Sequence, residues 1–270
     1  MKFLGFNVPS KLVGFSLCLM VGILLWACSG QDKKQENTLP ETKICSMIFI
    51  DKSVSVNVDK GFANEKYTKI INDLVEKNIR GKGDKLIVYF IHENTAKAKV
   101  AEVISRTDME ETEGSNANDS EALKTEFSLD LSREKSIFKQ LVVKQLNARN
   151  ASSSNENTDI LASLELIDKE AARGYDVKVY YLSDMVESMK GEHRRDFHKN
   201  PPVDDAAAVG WAREDASNLK ANLNNLTSIQ VFVAKPFEPT ASTRVNNPAV
   251  SAYWERLFAE LGVSAEVEEL

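Results

Sequence analysis

Four short apolar runs limit what this chain can fold into more than any other feature. Residues 44–50 read ICSMIFI, 85–92 KLIVYFIH, 176–182 DVKVYYL and 228–234 SIQVFVA. Runs with little polar alternation suit strands covered on both faces, as in a parallel sheet. Helical spacing fills the gaps between them. Residues 59–80 carry Phe62, Tyr67, Ile70, Ile71, Leu74, Val75 and Ile79, closed by Gly81 and Gly83. Residues 133–148 continue the pattern through Ile137, Leu141, Val142 and Leu146, and 158–173 through Ile160, Leu161, Leu164 and Ile167, ended by Gly174. A helix over about 204–223 and a last one over 249–261, with Tyr253, Trp254, Leu257 and Phe258, follow. This alternation predicts an α/β fold: a mostly parallel central sheet with helices on both faces. Residues 97–105 read as an edge strand. Residues 107–126 are acidic and poor in large apolar groups, which predicts a loop or a short exposed helix. The expected domain therefore spans 44–270, with insertions near 106–132 and 185–204, and no internal repeat.

The amino-terminal segment has a separate use. Residues 1–27 begin basic, with Lys2 and Lys11, and continue in the apolar run LVGFSLCLMVGILLWA at 12–27. That run is shorter than the roughly 20 residues that cross a bilayer comfortably, so it reads as a secretory leader. It stops at Leu25-Trp26-Ala27-Cys28-Ser29, which resembles a bacterial lipobox, although Trp26 stands where a small residue is usual. The resemblance implies that Cys28 is acylated and becomes the first residue of a membrane-anchored lipoprotein. Each buried methylene of an acyl chain contributes roughly 0.8 kcal/mol to such anchoring. An uncleaved anchor helix is the alternative. Residues 28–43 are polar and have little to bury, hence a disordered tether with a reach of at most ~50 Å. The location expected is the bacterial cell envelope. Ser29 after the cysteine favours an outer membrane, on its periplasmic or surface side, where the cell has two.

Composition excludes several classes. The net charge of the whole chain is −6, and losing Lys2 and Lys11 makes the product more acidic still. Phosphate binding needs clustered Lys and Arg, so no nucleic-acid partner is expected. Of three cysteines, Cys18 leaves with the leader and Cys28 is used for acylation, leaving Cys45 in an apolar strand. An intrachain disulfide and a thiolate metal cluster are both excluded on that count. The chain has no Gly-x-Ser-x-Gly, P-loop or dinucleotide-type glycine pattern.

One constellation carries chemistry. The first strand ends in Asp51-Lys52-Ser53-Val54-Ser55, at the sheet end where open α/β folds place their ligands. A carboxylate and two hydroxyls on alternate residues offer hard oxygen donors, which suits Mg²⁺, Mn²⁺ or Ca²⁺ over zinc or copper. More donors must come from neighbouring loops. Thr158 opens a predicted helix, and Asp184 follows the third core strand. Each residue has a plainer reading alone, since Asp51, Ser53 and Thr158 are ordinary helix caps. A haloacid-dehalogenase type of phosphatase would want a second Asp where Ser53 stands. His193 and His198, near Glu192 and Asp196, have no spacing typical of a zinc pair.

Taken together, Asp51-x-Ser53-x-Ser55, the Thr158-Asp159 pair and Asp184 resemble the metal ion-dependent adhesion site of von Willebrand factor type A domains. The resemblance covers about residues 44–262 and implies a Rossmann-like fold. It implies that Ser53, Ser55 and Thr158 offer hydroxyls to Mg²⁺, with Mn²⁺ or Ca²⁺ as alternatives, while Asp51 and Asp184 act partly through waters. It also implies an open coordination position that takes an acidic side chain of a protein partner. Asp159 reads as a cap or outer residue. His193, Arg194 and Arg195, in the loop 185–202, are expected to form an exposed rim that recognises the partner. The expected function is a membrane-anchored, cation-dependent protein-binding module with no catalytic residue. The alternatives are a metal-dependent hydrolase or phosphatase, with His193 or Glu187 as base, and a degenerate scaffold of the envelope without metal.

Overall fold

In the computed structural model the four apolar runs become the four inner strands of one sheet. The structure describes residues 42–53, 55–57, 60–109, 116–150, 156–238, 240–243, 246–264 and 266–270. The expected leader, the Cys28 acylation site and the tether up to residue 41 lie outside the described residues, as does Val54 of the Asp51 motif. The strands are β1 (Ile44–Asp51), β2 (Lys85–Ile91), β3 (Lys99–Ile104), β4 (Asp176–Leu182), β5 (Gln230–Ala234) and β6 (Glu268–Glu269). Their order is β3-β2-β1-β4-β5-β6. Each neighbouring pair is parallel except β2–β3. Every residue of β1 and β2 is buried, which is why both read as unbroken apolar runs. β3 has no buried residue, as suits an edge.

Helices cover both faces, so the chain has an α/β, Rossmann-like architecture. They are α1 (Lys60–Asn78), α2 (Ala117–Asn147), α3 (Ser163–Ala171), α4 (Asp205–Leu219) and α5 (Pro248–Glu260). Successive residues of a strand point to opposite faces. Ile48 and Ile50 of β1 therefore pack with Tyr67, Ile71 and Leu74 of α1 and with Phe138 and Val142 of α2. Met47 and Phe49 pack on the other face with Leu164 of α3, Ala212 of α4 and Trp254 of α5. Among the described residues no helix is long and apolar enough to cross a membrane.

The chain winds outward from β1 in one direction through β2 and β3, then from β4 in the other through β5 and β6. The strand order thus reverses between β1 and β4. In such sheets a crevice opens beyond the carboxyl ends of the strands at that point. Asp51 ends β1, and Asp184 comes two residues after β4.

Two helices differ from the sequence expectation. The segment 107–126, expected as a loop or short helix, belongs from Ala117 onward to the 31-residue α2. Asn116 caps it by accepting the Asp119 N–H at 2.9 Å. The early part of α2 lies mostly in solvent, and its apolar stripe is thin, with only Leu123, Phe127 and Leu131 half-buried among polar residues. In contrast, α3 starts at Ser163, five residues later than expected. The residues from Thr158 to Ala162 form a turn held by side chains from another loop.

Candidate metal centre

Three loops converge at the carboxyl end of the sheet. The first leaves β1. Asp51 is buried, and its two oxygens are both engaged: Oδ1 accepts the Ser53 N–H at 2.8 Å, and Oδ2 accepts the Ser183 hydroxyl at 2.6 Å. The Ser53 and Ser55 hydroxyls lie 2.9 Å apart. Lys52 points the other way. Its ammonium donates to the carbonyls of Gln145, Leu146 and Ala148 at 3.0, 2.7 and 3.0 Å, closing the end of α2. A cation suits the carbonyl end of a helix.

The second loop leaves β4. Ser183 is buried, and its oxygen also accepts the Met185 N–H at 2.9 Å. Asp184 is partly exposed; its Oδ1 accepts the Val186 N–H at 3.0 Å, and the Ser55 hydroxyl bonds it as well. Met185 takes φ 61°, a left-handed conformation rare for a bulky residue. Its buried side chain and the Trp254 indole, which donates to its carbonyl at 2.7 Å, hold it there. The loop is thereby bent so that Asp184 faces the Asp51 loop. Burial, then the neighbouring Asp184 carboxylate, push Asp51 above its ordinary range. Burial raises Asp184 too.

The third loop precedes α3. The Asp159 N–H donates to the His92 carbonyl at 3.2 Å, which sets the loop over the end of β2. The Thr158 N–H donates to the Ser188 hydroxyl at 2.9 Å, and the Ser188 N–H returns a bond to the Thr158 carbonyl at 2.9 Å. Thr158 is thus tied to the loop that carries Asp184. Its hydroxyl Oγ1 is buried and has no hydrogen-bond partner among the described residues. A buried polar atom is nearly always paired, so an unpaired one calls for an explanation.

Loop residues that the sequence left in the background hold these three together. Glu187 is fully buried and accepts the N–H groups of Ile160 and Leu161 at 2.6 and 3.3 Å. It serves as the cap that delays α3. Burial raises it to about 7 despite the Arg194 guanidinium beside it. Arg194 bridges Glu187 and Asp159. Arg195 makes two bonds of 2.8 Å to buried Asp215 and one to Glu214, over the Trp211 ring. Both arginines therefore use their charge on carboxylates of this chain, in place of the exposed rim expected of them. Of that trio only His193 is exposed, and its ring stands 3.1 Å from the Asn218 amide. His198 lies elsewhere. It lines a cleft of about 550 Å³ together with Ser55, Asp184, Lys235, Asn246 and Val250. The two histidines are not brought together.

Among the described residues no group of three His, Cys, Asp or Glu side chains could hold a metal by itself. The donor set is instead two carboxylates and three hydroxyls. Those residues fit a hard divalent cation: oxygen donors only, and one buried hydroxyl without a partner among the described residues.

No family model matches the chain, and no curated protein matches it. Solved structures with similar backbones exist. An aerotolerance-related membrane protein from Bacteroides fragilis has 14% identity and a TM-score of 0.39, covering 84% of this chain and 92% of its own. Proximal thread matrix protein 1 from the mussel byssus has 12% identity and a TM-score of 0.36, covering 82% of this chain and 46% of its own. At these scores neither adds an argument to the architecture seen in the chain itself.

Proposed function

We propose that this chain is a divalent-cation-dependent protein-binding module of the von Willebrand factor type A kind, held at a bacterial envelope membrane by acylated Cys28. The observation that carries the reading is the Thr158 hydroxyl, buried without a partner among the described residues on a loop bonded to the one that bears Asp184. Ser53, Ser55 and Thr158 would hold Mg²⁺, with Mn²⁺ or Ca²⁺ as alternatives. Asp51 and Asp184 would act largely through waters. A bound cation supplies an electrophilic centre for an incoming carboxylate, so the partner should offer an Asp or Glu side chain.

Calorimetric titration with Mg²⁺ and Mn²⁺ tests the site directly. Wild type should bind, and Asp51→Ala should not, with the circular dichroism of both unchanged. A silent wild-type titration sinks the proposal and leaves the scaffold reading. Pull-down from envelope extracts with and without chelator then isolates the partner. For the anchor, an alkyne-tagged fatty acid should label wild type and not Cys28→Ser.

One observation favours the hydrolytic alternative. His198 lines the cleft next to Asp184, where a general base would be needed. Glu187, the acid nearest in sequence, is occupied as a cap. We keep the non-enzymatic reading because, among the described residues, no hydrogen bond joins His198 to Ser55 or to another hydroxyl of the set. A phosphatase and esterase screen with Mg²⁺ decides between them: turnover that disappears in Asp51→Ala would replace binding with catalysis.

A further inference from the structure

Among the described residues, only two buried hydroxyls lack a hydrogen-bond partner. Thr158 is one, and it belongs to the candidate centre. The other is Tyr67, near the middle of α1, 2% exposed. Tyr67 is not among the five candidate donors. Tyr67 packs in the core layer with Ile50, Val56 and Leu182. Ile50 immediately precedes Asp51, and Leu182 precedes Ser183 and Asp184. The layer that encloses the ring thus adjoins the ends of β1 and β4, from which the loops bearing the two carboxylates leave. Burial first, and then the charges of Asp51 and Asp184, drive the phenol well above its ordinary range. The hydroxyl keeps its proton and can only be useful there as a donor or a weak acceptor. Core packing does not ask for it. Phenylalanine would fill the same space and would leave no polar atom to desolvate.

We propose that Tyr67 is a positioning residue of the cation site, its hydroxyl donating from beneath to the hydration shell that Asp51 and Asp184 share. This rests on the cation-site reading above. It adds a donor from the helix layer to a site otherwise built from loops. Outer groups of this kind orient what touches the metal, and their loss commonly lowers affinity by about 10- to 100-fold.

The test is Tyr67→Phe in the full chain, with Mg²⁺ and Mn²⁺ as probes. Calorimetry should show affinity for either ion weakened about tenfold or more. Thermal unfolding supplies the readout that a packing role would not give. In chelator the variant should melt no lower than wild type, because it loses a hydroxyl that had no partner. In saturating Mg²⁺ it should melt lower. Water-proton relaxation of the Mn²⁺-loaded proteins should also differ, since the shell is ordered differently. A variant that melts lower by the same amount in both conditions makes the hydroxyl structural and overturns the inference. Equal affinities for wild type and variant overturn it as well, while leaving the cation site standing. A wild type that binds neither ion removes the cation-site reading itself.

Discussion

At the scale of single residues, the orphaned hydroxyl of Thr158 makes a sharp comparison possible. Thr158→Val removes a polar atom that has no partner among the described residues and keeps nearly the same shape. Without a cation the variant should be at least as stable as wild type, since an unsatisfied buried group costs about 1–3 kcal/mol. Its Mg²⁺ affinity should nonetheless fall by an order of magnitude or more; chemical denaturation in chelator and Mg²⁺ calorimetry check the two halves separately. Glu187 supports a second prediction, about pH. Its folded value of about 7 lies above the ordinary 4.5. Between those values the folded protein holds a proton that the unfolded chain has released. Stability should therefore fall as pH rises through that window, by up to ~1.4 kcal/mol per pH unit, with the loss complete above about 7. Glu187→Gln has no such proton. The wild-type minus variant stability, from urea melts at several pH values, should decline from pH 4.5 to 7 and then level; a flat difference rejects this account. The sequence showed why Asp51, Ser53, Ser55 and Asp184 belong at strand ends. Nothing in it marked Ser183 as the partner of Asp51, or Ser188 as the partner of Thr158. Those bonds join residues far apart in the chain, and only the folded sheet brings them together.

At the scale of elements, legibility followed burial. β1 and β2 are plain because every residue is enclosed, and β4 because it is enclosed from Val179 onward, past the half-buried Asp176 and Lys178. α2 was half legible for the converse reason. From Phe138 to Leu146 it buries a stripe against the sheet, and that stretch was read as a helix. Its earlier turns leave Leu129 54% exposed and carry only a thin half-buried stripe, Leu123, Phe127 and Leu131, among polar residues. They are helical through good local formers such as Glu, Ala, Leu and Lys, together with the Asn116 cap. Helix with little packing opens more readily than helix with a buried stripe. Hydrogen exchange should accordingly show amides of residues 120–129 exchanging well before those of 138–146. Uniform protection along α2 would mean that something covers its first half. The start of α3 was misplaced because its cap, Glu187, comes from the loop after β4. The same loop was expected to face outward as a basic rim, yet Arg194 and Arg195 fasten it to Asp159, Glu187 and Asp215. Charged loop residues look alike in a sequence whether they meet solvent or a buried carboxylate.

At the scale of the whole molecule, all five candidate donors lie at one end of the sheet, and the helical layers beneath supply rigidity. The loops are tied to one another by Ser183–Asp51, Ser188–Thr158 and Glu187–Ile160, so a ligand that bridges them stabilises the folded chain as a unit. No preformed site survives in the unfolded chain, and binding energy therefore appears as folding energy. At a hundred times its dissociation constant a single-site ligand adds about 2.7 kcal/mol. For a domain of this size each kcal/mol moves the melting temperature by roughly 2–4 °C. Wild type in such Mg²⁺ should thus melt about 5–10 °C higher than in chelator, and the gain should track Mg²⁺ concentration logarithmically. Monovalent salt at matched ionic strength should not reproduce it, which separates occupation of a site from general screening of an acidic chain. Asp51→Ala should melt alike in both buffers. If wild type does so too, the converging hydroxyls and carboxylates form a hydrogen-bonded scaffold and nothing more. The partner would then have to be sought on another surface of the molecule.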